Sequence, residues 1–164
     1  MMNRNRSKTF VTKGRLLKFV AAILAKLSSD RLPPFPAVAA FVVLDEQLLM
    51  VERSDGMGFC LPGGIMRWKE STQNTVQREV KEETGYEVEV LELFNNYSGP
   101  ERDPRFSSVC LAYTARVRRG QLTASTEGRP MWVPFDDVLE LNLAFDAREM
   151  VTDYFARQRS TRSG

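Results

Sequence analysis

The sequence predicts an α+β domain, an α/β/α sandwich around a mixed β-sheet, and three observations predict it. Apolar runs of strand length recur from Ala37 onward. Two amphipathic helical segments lie among and after them. The order of strands and helices lacks the regular alternation of a parallel βαβ sheet. The chain has 164 residues, of which 43% are hydrophobic, enough to build one packed core.

In chain order, Ala37–Leu44 is nearly continuous in apolar residues, as expected for a strand buried on both faces. Asp45-Glu46 reads as a turn and Gln47–Glu52 as the second arm of a hairpin. A polar loop follows, then the short apolar segment Phe59-Cys60-Leu61, which ends at Pro62-Gly63-Gly64. Glu70 to Thr84 reads as a helix, with Gly85 suited to the position just past its end. Tyr86–Phe94, Ser107–Arg116 and Met131–Val133 read as strands, with a turn at Arg119-Gly120. Ala147–Arg157 closes the domain as a helix carrying Met150, Val151, Tyr154 and Phe155.

Three parts are expected: a basic extension over 1–33, a folded domain over 34–158 and a disordered tail over 159–164. The net charge of +2 hides an asymmetry. Residues 1–31 hold eight basic side chains and one acidic one, a charge of +7, which leaves the remainder at −5. Within that segment residues 10–28 have helical periodicity, with Leu16, Val20, Ile23 and Leu27 on one stripe. Packing on the domain or on a second subunit, as in a homodimer, is the favoured reading. An anionic membrane surface is the second and a signal peptide the third. No stable nucleic-acid partner is expected.

The chain has two cysteines and no histidine. Cys60 and Cys110 stand in apolar, strand-like surroundings, as expected for reduced thiols in a cytoplasmic protein. The missing histidine excludes a Ser-His-Asp triad, a Cys-His dyad and a histidine-ligated zinc site. Any metal must be held by oxygen, which points to Mg²⁺ or Mn²⁺.

The informative stretch is Gly64–Tyr86. On a helix Glu79, Glu82 and Glu83 share one face, with Cβ atoms roughly 5–6 Å apart. Three carboxylates so placed repel one another, and either solvent or a hard cation must relieve them. The surroundings favour the cation. Glu70 stands near the start of the helix, Arg78 can pair with Glu82 or Glu70, and Val76 and Val80 can pin the helix to the sheet. Gly63-Gly64 lets backbone approach a metal or phosphate closely.

Gly64, Glu70, Arg78, Glu79, Val80, Glu82, Glu83, Gly85 and Tyr86 together resemble the Nudix box, G-x5-E-x7-R-E-U-x-E-E-x-G-U, where U is bulky and aliphatic. The one mild departure is Tyr86 at the last position. A chance match at all positions is on the order of one in a billion per start site, and the flanking strand order resembles the family over roughly Pro34–Phe155. The resemblance implies an α/β/α sandwich, Mg²⁺ or Mn²⁺, and hydrolysis of a nucleoside diphosphate linked to a further group. It implies Glu79 and Glu83 as the main metal ligands, Glu82 binding directly or through water, and the Gly64 carbonyl completing the shell. Arg78 would orient the carboxylates and Glu70 would hold the helix end.

Beyond the box, Glu127 is the candidate general base, and Glu82 is the other. The stretch Glu127–Trp132 resembles the loop that brings a further carboxylate into oxidised-nucleotide-hydrolysing members. Arg102 and Arg105, in Gly99–Arg105, suit phosphate or ribose contacts. That loop resembles the ADP-ribose pyrophosphatase branch, although Phe106-Ser107 stands where Gly-His is usual. Phe59 and Trp68 flank the glycine loop and are candidates to stack on a base, with packing as the alternative. An ADP-ribose-like substrate is expected first and a nucleoside triphosphate second. The rival class is a non-catalytic Nudix-type nucleotide-binding domain.

Overall fold

A computed structural model describes residues 33–99, 102–103 and 107–162. The helix expected over 10–28 and the substrate candidate Arg105 lie outside the described residues. The strands are β1 (Phe35–Leu44), β2 (Gln47–Arg53), β3 (Phe59–Cys60), β4 (Gly63–Ile65), β5 (Tyr86–Ser98), β6 (Ser108–Gly120) and β7 (Gly128–Pro134). The helices are α1 (Thr72–Thr84), the single-turn α2 (Phe135–Val138) and α3 (Ala147–Arg162).

β1 is the hub. It runs parallel to β6 over eight residue pairs, Phe35↔Ser108 to Val42↔Ala115. On its other side β4 pairs antiparallel, Ala37↔Ile65 to Ala39↔Gly63. At its end it turns into β2, with Val43↔Leu48 and Leu44↔Gln47 in register. β2 pairs antiparallel with β7 and β3, and β5 pairs antiparallel with β6 along the other flank. The sheet is therefore mixed, as expected.

Val38 to Val42 are all buried, and they sort by parity. Ala39 and Phe41 enter a core closed by Met150, Val151 and Tyr154 of α3. Val38, Ala40 and Val42 enter a second core closed by Val76 and Val80 of α1. A strand places successive side chains on opposite faces, so a continuous apolar run needs a layer on each side. That requirement is what makes the fold a three-layer sandwich. Aromatic packing consolidates the α3 side, where the Phe41 and Tyr154 rings stack with centroids 4.5 Å apart.

Several boundaries differ from expectation. α1 begins at Thr72, because Ser71 caps it by accepting from the Asn74 N–H at 3.2 Å. Glu70 thus precedes the helix. β6 continues through the expected turn to Gly120, and β5 continues to Ser98, since each supplies the other's ladder partners. α3 extends to Arg162, so the segment expected as a disordered tail from 159 is helical up to that residue. β4 and α2 were not anticipated. β4 is three residues long, two of them glycine, too short for a periodic signal. Among the described residues no helix is long and apolar enough to cross a membrane.

Lys69 adopts a left-handed conformation with φ 67° in the turn before α1. Such a conformation costs a residue with a Cβ about 1–2 kcal/mol, partly offset by the entropy that glycine loses on folding. Lys69→Gly is therefore expected to raise stability by about 0.5–1 kcal/mol in urea titrations. A loss of stability would mean that the Lys69 side chain contributes more than its backbone costs.

Candidate active site

α1 has two faces with different work. Val76 and Val80 are fully buried against the sheet, which fixes the rotation of the helix. Glu79 and Glu83, three positions further on, are consequently turned under the glycine strand and are themselves buried. The Gly63 N–H donates to Glu83 Oε2 at 2.9 Å. A Cβ on Gly63 would come within 2.2 Å of the Val38 carbonyl oxygen, and one on Gly64 within 2.6 Å of Glu79 Oε1. The two glycines let β4 pass between β1 and the carboxylates. Gly64→Ala is expected to displace the Glu79 carboxylate and lower kcat by about 10–100-fold. An alanine variant with wild-type kcat would show that Glu79 can shift without cost.

Arg78 organises the acidic groups. Its Nε lies 2.6 Å from Glu70 Oε1 and its Nη2 2.8 Å from Glu70 Oε2, a two-pronged pairing. Nη1 reaches Glu79 Oε1 at 2.7 Å and Glu82 Oε2 at 3.2 Å. Nη2 also donates to the Ile65 carbonyl at 3.3 Å. Glu70 further accepts from Thr75 Oγ1 at 3.0 Å and from the Arg67 N–H at 3.0 Å. Hydrogen bonds from Arg78 and then from the Arg67 backbone hold the Glu70 carboxyl down to about 2. Glu70 thereby ties the turn before α1 to the middle of the helix.

The two buried carboxylates behave in the opposite sense. Burial raises Glu79, against the pull of Arg78. Burial pushes Glu83 up to about 8; the Gly63 N–H opposes this, and the charges of Glu79 and Glu127 add to it. Glu127 therefore stands within electrostatic range of both, although it belongs to the loop before β7. Glu82 differs from its neighbours. It is half-exposed, and Arg67 Nη2 holds both its oxygens, at 3.2 and 3.0 Å.

Among the described residues no three acidic or thiol side chains converge closely enough to cage a cation by themselves. Two buried carboxylates beside a backbone free of side chains nevertheless suit Mg²⁺ or Mn²⁺. Mg²⁺ is commonly held by one or two carboxylates, with substrate phosphate and water completing the shell. A cation there would supply the counter-charge that burial denies Glu79 and Glu83.

A cavity of about 130 Å³ shares the glycine strand with this pair, with Gly63, Gly64, Arg53, Cys60, Phe145 and Asp146 in its walls and neither carboxylate among them. Arg53 is clamped by Asp55 through Nε at 3.0 Å and Nη2 at 2.5 Å, and its guanidinium lies 4.9 Å from the centre of the Phe145 ring. Arg53 was not anticipated. Its signal, a cation at the end of the second apolar strand, resembles many surface positions.

The other substrate candidates fall differently. Arg102 donates to Asp146 at 3.2 Å, Glu149 at 2.5 Å and the Ser98 carbonyl at 3.1 Å, and lies over Tyr97. Its donors fasten the segment after β5 to the start of α3, where phosphate or ribose contact was expected. Phe59 is half-buried and packs on the α3 core, with backbone bonds to Asn142 and Ala144. Trp68 is 91% exposed, in the turn before α1, so it has no packing role. Cys110 is buried and Cys60 partly so, and both are free thiols.

The family profile for the NUDIX domain matches residues 33–154. The chain belongs to the Nudix family. It is 34% identical over 127 residues to the ADP-ribose pyrophosphatase of Methanocaldococcus jannaschii, covering 75% of this chain and 74% of that one. Among solved structures, a UDP-X diphosphatase superposes with a TM-score of 0.71 at 21% identity, covering 88% of this chain and 72% of the other, and so bears on the fold alone. The NUDIX domain of Shewanella oneidensis NrtR, solved with ADP ribose, superposes with a TM-score of 0.62 at 28% identity, covering 82% and 97%. The α1 segment with Gly64, Glu70, Arg78, Glu79, Glu82, Glu83 and Gly85 is the Nudix box of this chain, which is a Nudix hydrolase.

Proposed function

We propose that this Nudix hydrolase cleaves the diphosphate linkage of a nucleoside diphosphate derivative, ADP-ribose-like in kind, with Mg²⁺ or Mn²⁺, in the cytoplasm. The observation that carries the reading is the buried pair Glu79 and Glu83 under Gly63-Gly64, the glycines that also help wall a cavity with Arg53. The likeness to an ADP-ribose pyrophosphatase supports the choice of substrate.

Glu79, Glu83 and the Gly64 carbonyl would hold the cation. When bound, it neutralises diphosphate charge and lowers the pKa of a water molecule. The rest falls to the chain. Arg78 keeps Glu79 and Glu82 oriented through its fork on Glu70. Arg53, held by Asp55 and Phe145 in the cavity wall, would offer its guanidinium to a substrate phosphate. Glu127 is the acceptor for the proton of the attacking water. Its side chain is exposed, whereas Glu82 is engaged by Arg67 and Arg78.

The test is a product assay with ADP-ribose, UDP-sugars, dinucleotides and nucleoside triphosphates, each with Mg²⁺ and Mn²⁺. ADP-ribose is expected to yield AMP and ribose 5-phosphate. Turnover restricted to triphosphates would move the substrate class. Tight ADP-ribose binding without turnover of any compound would assign a sensing domain, a reading favoured by the likeness to NrtR.

A further inference from the structure

The turn Met66–Lys69 is anchored at both ends. The Met66 N–H donates to the Pro36 carbonyl at 3.0 Å, and the Glu70 N–H donates to the Arg67 carbonyl at 3.1 Å. The Arg67 N–H donates to Glu70 Oε2. The backbone of Arg67 is thus tied to the same carboxylate that seats Arg78, and its side chain is delivered to Glu82 from a fixed base. Glu82 Oε2 receives Arg67 Nη2 at 3.0 Å and Arg78 Nη1 at 3.2 Å, and Oε1 receives Arg67 at 3.2 Å.

These two arginines are not equivalent. Arg78 is 14% exposed and committed to Glu70 by two nitrogens, so it cannot leave. Arg67 is 62% exposed and Glu82 is 48% exposed. An ion pair this open contributes little and breaks readily. The guanidinium and a divalent cation are alternative partners for the same carboxylate oxygens. Glu82 Oε2 shares Arg78 Nη1 with Glu79 Oε1, so the carboxylate stands beside the buried pair while its oxygens are occupied by guanidinium nitrogens.

We infer that Arg67 is a positioning residue that holds Glu82 out of the cation's inner shell, so that recruitment of Glu82 requires the Arg67 side chain to swing into solvent. The inference rests on the reading that Glu79 and Glu83 hold the cation. It adds a residue at an unspecified position of the Nudix box, between Gly64 and Glu70, that sets how strongly cation binds.

The test measures Mn²⁺ binding to the full chain by electron paramagnetic resonance of free Mn²⁺, alongside melting curves. Arg67→Gln is expected to tighten Mn²⁺ binding about two- to fivefold, the scale of one exposed ion pair. Arg67→Lys is expected to stay near wild type, because it keeps the charge and one donor. The deciding measurement is Arg67→Gln in a Glu82→Gln background, where tightening is expected to vanish. Persistence of the same tightening there would reduce Arg67 to a remote positive charge and overturn the proposal. Unchanged binding in the single variant would overturn it as well. Failure of the underlying site reading has a separate signature: Mn²⁺ binding by wild type that is absent, or that survives Glu83→Gln unaltered.

Discussion

Replacing Glu83 by Gln is expected to lower kcat for diphosphate hydrolysis by about 10²–10⁴-fold, the range found when a group that stabilises charge or moves a proton in the transition state is removed. Glutamine fills the same volume, and its carbonyl oxygen can accept the Gly63 N–H that Glu83 Oε2 now accepts. The fold should therefore survive, with the melting temperature close to wild type. What is lost is one of the two buried carboxylates that would bind a divalent cation, an effect that no exposed glutamate on α1 can replace. Steady-state kinetics across a Mg²⁺ series, with circular dichroism melts on the same samples, reads both outcomes. A wild-type rate in a folded Glu83→Gln would remove α1 from the mechanism.

Replacing Arg78 by Met is expected to cost roughly 3 kcal/mol of stability, the low end for breaking a largely buried ion pair, because its Glu82 arm faces solvent. At this chain length that corresponds to a fall in melting temperature of about 10 °C. The guanidinium is shared by Glu70, Glu79, Glu82 and the Ile65 carbonyl, so its removal strands several acceptors at once. Arg78→Lys should recover only part of the loss, since an ammonium cannot fork onto both oxygens of Glu70. The pair also sets an acid limit. Glu70 is held down to about 2 from its ordinary 4.5, so its contribution is complete above about pH 4.5 and fades as the pH falls toward 2. In Arg78→Met that fading should begin from a smaller initial contribution, seen as a flatter stability curve between pH 5 and 2. A variant as stable as wild type would mean that solvent satisfies the acids equally well.

The box residues were legible because each has a spacing enforced by a helix. Glu79, Glu82 and Glu83 fall together at i, i+3 and i+4, and Gly85 closes the helix in a left-handed conformation, φ 81°. The central strand was legible because a two-faced apolar run has no other place to go. The cavity walls were less so. Arg53 lies over ninety positions from the adjacent Phe145 and Asp146, and no local period links them. Arg102 was read as a phosphate ligand because the sequence displays its charge, whereas its acid partners Asp146 and Glu149 lie over forty positions away. Glu82 was grouped with its neighbours by spacing alone. The partner that separates it, Arg67, reaches back from a turn fifteen residues earlier.

Trp68 has an optical consequence. The chain has two tryptophans. Trp132 is half-buried and donates to the Tyr86 hydroxyl at 3.3 Å, so its environment is settled by the sheet. Trp68 lies in water and is the immediate neighbour of Arg67. With Trp132 changed to Phe, the indole emission of the whole chain would come from that one turn. Its wavelength, anisotropy and quenching by iodide would then follow movements of the turn directly, without an attached dye.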